Sequence, residues 1–283
     1  NGVQAYHRWI HDAVRRNLPY DRLARALLCS SGSNFRVPAV NFYLSVQERQ
    51  PAALADAVAL TFMGVRLQHW PAAQRAGLEA LLSRLAFKGT AEWKEMIVHR
   101  DPAPGDAITA RMPDGRSIEV AADADPRHAL ADWLLSPANP WFAPSIANRC
   151  WAWLMGRGIV HEPDDFRPDN PPVHPELLDY LAQELVRSGY DLRHLFRLIV
   201  ASRTYQQSPL PRLPSTEAEA CFAHYAPRRL DAETLIDALC WATDSQESYM
   251  SMVPEPFTFI PRDHPTGSLA DGSVGSQFLT MFG

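Results

Sequence analysis

The stretch from Asn139 to Tyr205 reads NPWFAPSIANRCWAWLMGRGIVHEPDDFRPDNPPVHPELLDYLAQELVRSGYDLRHLFRLIVASRTY, and its reading decides the fold. Asn139 is a helix-capping residue followed by Pro140 at a first helical position. Phe142, Ile146, Cys150 and Trp153 then mark one buried face, and Gly156 ends the helix. A second helix opens at His174-Pro175-Glu176 and repeats Leu177, Leu181 and Leu185 at four-residue spacing until Ser188-Gly189. Asp191 caps a third, whose Leu192, Leu195, Phe196, Ile199 and Val200 fit the helical template. The link between the last two is so short that they form an antiparallel pair.

Toward the N-terminus the same periodicity recurs. Tyr6 to Arg16 reads as an amphipathic helix broken by Asn17-Leu18-Pro19, and Asp21 starts the next, which stops at Ser30-Ser31-Gly32. Residues 33–41 look like loop, and Phe42 to Val46 like a short strand or turn. Pro51 opens a helix carrying Leu54, Val58 and Phe62 and stopped by Gly64. Another follows Pro71 through Leu78, Leu81, Leu82 and Leu85. Ile108-Thr109-Ala110 and Ser117 to Val120 flank Met112-Pro113-Asp114-Gly115, which predicts a small β-hairpin over an edge of the helical body. Asp125-Pro126 starts a short helix through Leu130, Trp133 and Leu134.

Beyond the central stretch, residues 209–214 form a proline-rich connection, and Asp231 caps a helix carrying Leu235, Ile236, Leu239 and Cys240. A long irregular segment then wraps the body to bury Phe257, Phe259 and Ile260. The fold is therefore mainly α, a bundle-like body with one small β-hairpin and an irregular C-terminal segment. It divides into a helical part at 1–104, a hairpin and linker at 105–125, and a second helical part at 126–283.

Bulk properties exclude several classes. The 283 residues carry a net charge of -5, which gives no basic face for nucleic acid. No apolar run approaches the ~18 residues of a membrane span. The four cysteines, at 29, 150, 221 and 240, lack any CxxC pairing, which argues against a zinc or haem site; three of them lie in helical patterns beside apolar neighbours and read as buried free thiols. A chain that starts at Asn1 and stops after Phe282-Gly283 looks like a fragment of a longer protein.

Candidate chemistry gathers in Val160-His161-Glu162-Pro163-Asp164-Asp165-Phe166-Arg167-Pro168-Asp169-Asn170-Pro171-Pro172-Val173-His174-Pro175-Glu176. Proline limits the entropy lost on fixing such a loop. In one reading, Asp164, Asp165 and Asp169 bind a hard cation such as calcium with help from carbonyl groups, although no EF-hand spacing is present. In a second, Asp165 or Glu176 works as a general acid or base with His174. In the third, which the residue types favour, these groups cap helices and pair with Arg149, Arg157 and Arg167. Arg149, beside Asn148 in mid-helix, would take Asp164 or Asp165 as its partner. The tryptophans read as core, with Trp70 in His69-Trp70-Pro71 the best exception. No G-x-S-x-G, phosphate-binding glycine loop or HExxH occurs.

Asn148-Arg149-Cys150-Trp151, Gly156-Arg157-Gly158, Asp164-Asp165-Phe166, Asn170-Pro171-Pro172 and His174 to Leu178 resemble the DUF1553 family, abundant in planctomycetes and related bacteria. Ser202 to Gln206 and Arg228-Arg229-Leu230 extend the likeness. Tyr6-His7-Arg8-Trp9, Pro19-Tyr20-Asp21 and Phe62 to Gln68 resemble the latter part of its tandem partner, DUF1549. The resemblance implies export to the periplasm or cell exterior, often beside cytochrome c domains. Many members carry a CxxCH sequence after the segment equivalent to Val65-Arg66-Leu67-Gln68. Here Gln68 runs directly into His69-Trp70-Pro71, so no covalent haem is expected, although His69 alone could serve as an axial ligand.

The leading expectation is a non-catalytic binding or assembly module for a protein or polysaccharide, with Asn148, Arg149, Asp164, Asp165, Arg229 and Trp70 as its binding candidates. The alternatives are a hydrolase of polysaccharide or peptide built on Asp164, Asp165, His174 and Glu176, and an accessory to cytochrome c electron transfer. No cofactor is required by these residues; calcium is the one they could hold.

Overall fold

The computed structural model describes residues 2–211, 215–251, 265–266 and 274–282. Phe257, Phe259 and Ile260, and the tail expected to bury them, lie outside the described residues. The chain separates into two units, residues 1–226 and 227–283.

The first unit is mainly helical. Its helices are α1 (Gly2–Arg15), α2 (Tyr20–Cys29), α3 (Asn41–Leu44), α4 (Pro51–Met63), α5 (Ala72–Leu82), α6 (Pro126–Leu134), α7 (Phe142–Met155), α8 (Pro175–Arg187), α9 (Leu192–Val200) and α10 (Thr216–Ala220). Strands β1 (Gly32–Ser33), β2 (Leu85–Gly89) and β3 (Met96–Arg100) form an antiparallel sheet in the order β1-β3-β2. Strands β4 (Ile108–Arg111) and β5 (Ser117–Val120) form the expected hairpin, with Ile108 opposite Val120 and Arg111 opposite Ser117. Gly115 closes its turn at φ +86°, a backbone region that favours glycine.

Three local expectations change. Leu85 begins β2 and does not continue α5, because the chain turns at Leu82 and pairs with β3. Residues 41–44, expected as strand or turn, form a single helical turn behind a 3-10 turn at Pro38–Val40. Helix α7 starts at Phe142 and not at Pro140; Asn139 still acts as a cap, its side-chain oxygen accepting from the backbone N–H of Trp141 and Phe142.

Residues on both sides of 105–125 share one core. Tyr20 of α2 stacks on Phe142 of α7 at 5.2 Å, and Phe62 of α4 and Tyr190 pack on the same ring. Asn17, after α1, donates to Asp191 at the start of α9. The boundary in contacts falls at Ala226, inside the expected second helical part of 126–283. All four cysteines are free; Cys150 is buried, which pushes its thiol up to about 12, whereas Cys221 is exposed.

The second unit holds α11 (Ala232–Thr243), α12 (Gln277–Phe282) and the short antiparallel pair β6 (Met250–Ser251) and β7 (Val274–Gly275). Asp237 of α11 accepts from the backbone N–H and the hydroxyl of Thr266, which ties that residue to the helix.

Arg127 opens α6 and is only 2% exposed. It holds Asp125 at 2.6 Å and donates to Ser30 O and Ser31 Oγ beyond the end of α2. Burial raises the Asp125 carboxyl, but hydrogen bonds and charge from Arg127 outweigh it, and the group sits below the usual carboxylate range. A depressed carboxylate contributes stability above its unfolded value of about 3.9 and loses it as pH falls through the folded value. Asp125→Asn should thus cost about 2 kcal/mol at neutral pH, since it removes the charge facing a buried guanidinium. The gap to the unmodified protein, read from melts in a pH series, should narrow in the acid range below about pH 4.

Candidate functional site

The central loop is assembled on helix ends. The last four carbonyls of an α-helix have no partner within it. In α4 these are the carbonyls of residues 60–63, and side chains of α7 reach three of them. Ser145 Oγ donates to Phe62 O at 2.8 Å. The guanidinium of Arg149 donates through Nη1 to Thr61 O and through Nη2 to Leu60 O. A cation there also complements the negative end of the helix dipole. The remaining Nε of Arg149 meets Asp164 Oδ1 at 2.6 Å. Helix α7 thus caps α4 and holds the loop by the same side chain.

Asn148, the fully buried residue before Arg149, binds the start of the loop from both sides. Its Oδ1 accepts from Val160 N at 3.0 Å and its Nδ2 donates to Val160 O at 3.1 Å. Such a two-sided bond satisfies both backbone groups of one buried residue. Farther on, Phe166 N donates to Gly64 O, the left-handed residue that ends α4. The Phe166 ring lies where a side chain on Gly64 would point, 3.1 Å from a built Cβ. Asn170 Nδ2 closes the loop on the carbonyls of His161 and Asp165.

The other candidates face different partners. Asp165 pairs with Arg167 at 3.0 Å, and Arg167 also approaches Asp169 at 3.6 Å. His174 stands at the N-cap of α8, its Nε2 3.5 Å from Cys221 O and its ring beside Phe222. Glu176 is exposed in the first turn of α8, where a carboxylate complements the helix dipole. Asp164, Asp165 and Asp169 are therefore each turned to an arginine. Among the described residues no group of three or more His, Cys, Asp or Glu side chains is placed to hold a metal ion. Arg157, expected to pair with a loop carboxylate, makes no salt bridge among the described residues and leaves a buried Nε without a hydrogen bond. Asp165 likewise keeps one buried oxygen, Oδ1, without a hydrogen-bond partner.

Trp70 is half-buried against Trp141 at 5.5 Å and packs on the core, so it is not the outlying tryptophan. Trp153, placed on the buried face by its spacing, is 56% exposed and stacks on Phe196 of α9 at 6.4 Å. Trp93 and Trp241 are more exposed still. Two residues apart on a helix, Trp151 and Trp153 face nearly opposite sides, and it is Trp151 that α7 buries. His69 and Arg229 are exposed.

A surface groove of about 280 Å³ runs between the start of α7 and α8. Pro137, Ala143 and Pro144 line one side, and Asp179, Gln183 and Arg187 line the other. The three α8 residues follow at four-residue spacing and so form one polar rim. This groove was not legible in the sequence; its polar residues look like an ordinary solvated helix face.

Residues 126–264 match the family model described as PSD1, Protein of unknown function (DUF1553), and the match begins at Pro126, the first residue of α6. No curated protein and no solved structure matches the chain.

Proposed function

We propose that this chain is a non-catalytic binding and assembly module for a protein partner. The observation that carries the reading is the engagement of the central loop's polar groups. Asn148, Arg149 and Asp164 join α4, α7 and the loop, while Asp165 and Asp169 face Arg167. A general base must reach a substrate proton, and a carboxylate held by arginine is poorly placed for that task. The groove supports the same reading. Its apolar wall faces a rim of hydrogen-bonding groups suited to an extended peptide.

The DUF1549-like character of residues 1–104 and export beyond the inner membrane belong to the same proposal and rest on the sequence resemblance. Assays of the purified chain against casein, soluble peptides and a panel of polysaccharides should give no turnover above a blank. Reproducible hydrolysis abolished by Asp165→Asn would overturn the reading in favour of a hydrolase.

A further inference from the structure

Helix α1 carries His7 and His11 one turn apart in the sequence His7-Arg8-Trp9-Ile10-His11. Residues at i and i+4 stand on one helix face with Cβ atoms roughly 5–6 Å apart. The two rings lie 6.4 Å apart between centroids and within 23° of parallel. His11 is exposed and His7 half-exposed. Among the described residues neither ring makes a hydrogen bond or ion pair. The four imidazole nitrogens are thus open to other ligands.

The opposite side of the helix fixes this orientation. Tyr6 and Trp9 stack on each other at 6.2 Å and pack on the core, and Ala13 is buried. Gly2 lies so close to Asn34 and Asn41 that a built Cβ would meet them at 2.7 and 3.0 Å. Rotation of α1 about its axis would strip those contacts, so the histidine pair stays turned outward. Asp12, the nearest carboxylate in sequence, is drawn aside by Arg15 at 3.3 Å.

We propose that His7 and His11 form a two-ligand site for a borderline divalent transition metal, Cu²⁺, Ni²⁺ or Zn²⁺. Imidazole nitrogens suit these ions, and metal–nitrogen bonds of about 2.0–2.1 Å are reached when the two rings swing toward each other by side-chain rotation. The i, i+4 histidine pair is also the metal-holding part of the H-E-x-x-H helix. In this chain Arg8 stands where that motif has its general-base glutamate, so the site binds metal without the hydrolytic partner. The other coordination positions are filled by water or by a donor from a bound partner.

The test is metal titration of protein purified without a histidine tag. One equivalent should bind, in the affinity order Cu²⁺ above Ni²⁺ and Zn²⁺. His7→Gln and His11→Gln should each weaken Cu²⁺ binding by roughly tenfold or more, because the second ligand binds intramolecularly. His128→Gln, at an exposed position elsewhere, should leave it unchanged. Electron paramagnetic resonance of the Cu²⁺ complex should show coupling to two nitrogens in the unmodified protein and to one in either variant. Affinity unchanged in the His7→Gln/His11→Gln double variant, or a single-nitrogen signal in the unmodified protein, would overturn the assignment.

Discussion

Gly77→Ala should lower the stability of the chain by about 3 kcal/mol or more, a fall of roughly 6–12 °C in Tm. Helix propensity alone gives the opposite sign, since alanine in mid-helix is favoured over glycine by about 1 kcal/mol. Gly77 sits in α5 where the backbone of β4 crosses it. A built Cβ would overlap the carbonyl oxygen of Arg111 and stand 2.8 Å from its carbonyl carbon. Backbone atoms paired in a hairpin cannot step aside as a flexible side chain can, so α5 and β4 must separate. Thermal melts of the two proteins decide the sign. A raised or unchanged Tm would mean that the hairpin does not seat on α5.

Arg149→Met carries the second large effect. Methionine keeps much of the aliphatic bulk and removes every donor. Two carbonyls at the end of α4, Leu60 O and Thr61 O, lose their partner, and Asp164 loses its ion pair. Breaking a buried pair costs about 3–5 kcal/mol. Asp164 is 44% exposed and can be rehydrated, so the expected loss is nearer 2–3 kcal/mol. Arg149→Lys should recover only part of it, because an ammonium cannot supply three directed bonds to three separate oxygens from this position. Urea unfolding of the three proteins gives the comparison.

These two cases mark what the sequence could and could not disclose. Helices α7, α8 and α9 were legible from caps and spacing, since Asn139, Gly156 and Asp191 act locally and each is confirmed as a cap or stop. The hairpin was legible for the same reason, from Pro113-Asp114-Gly115. Strands β2 and β3 were not. Leu85 continues the helical spacing of Leu78, Leu81 and Leu82, and only the pairing of Leu85, Ala86 and Phe87 with Arg100, His99 and Val98 makes them a strand. The Arg149–Asp164 pair followed from charge in mid-helix, but the acceptors on α4 lie nearly ninety residues away in sequence and have no side-chain signature. The crossing at Gly77 was invisible for the same physical reason: a close backbone approach leaves only a glycine, which a helix also tolerates at modest cost. Trp153 shows the limit of periodicity, because one helix face is buried only as far as its neighbours extend.

A double-mutant cycle on Arg149→Met and Asp164→Asn, read by equilibrium urea unfolding, tests most directly whether the central loop is a structural joint. Residues in one hydrogen-bonded network couple by about 0.5–3 kcal/mol, whereas independent sites add within about 0.5 kcal/mol. The expected result is a coupling of about 1 kcal/mol or more, with each single variant destabilised. Additive effects, or an Asp164→Asn variant as stable as the unmodified protein, would contradict a structural joint and leave Asp164 free for a ligand.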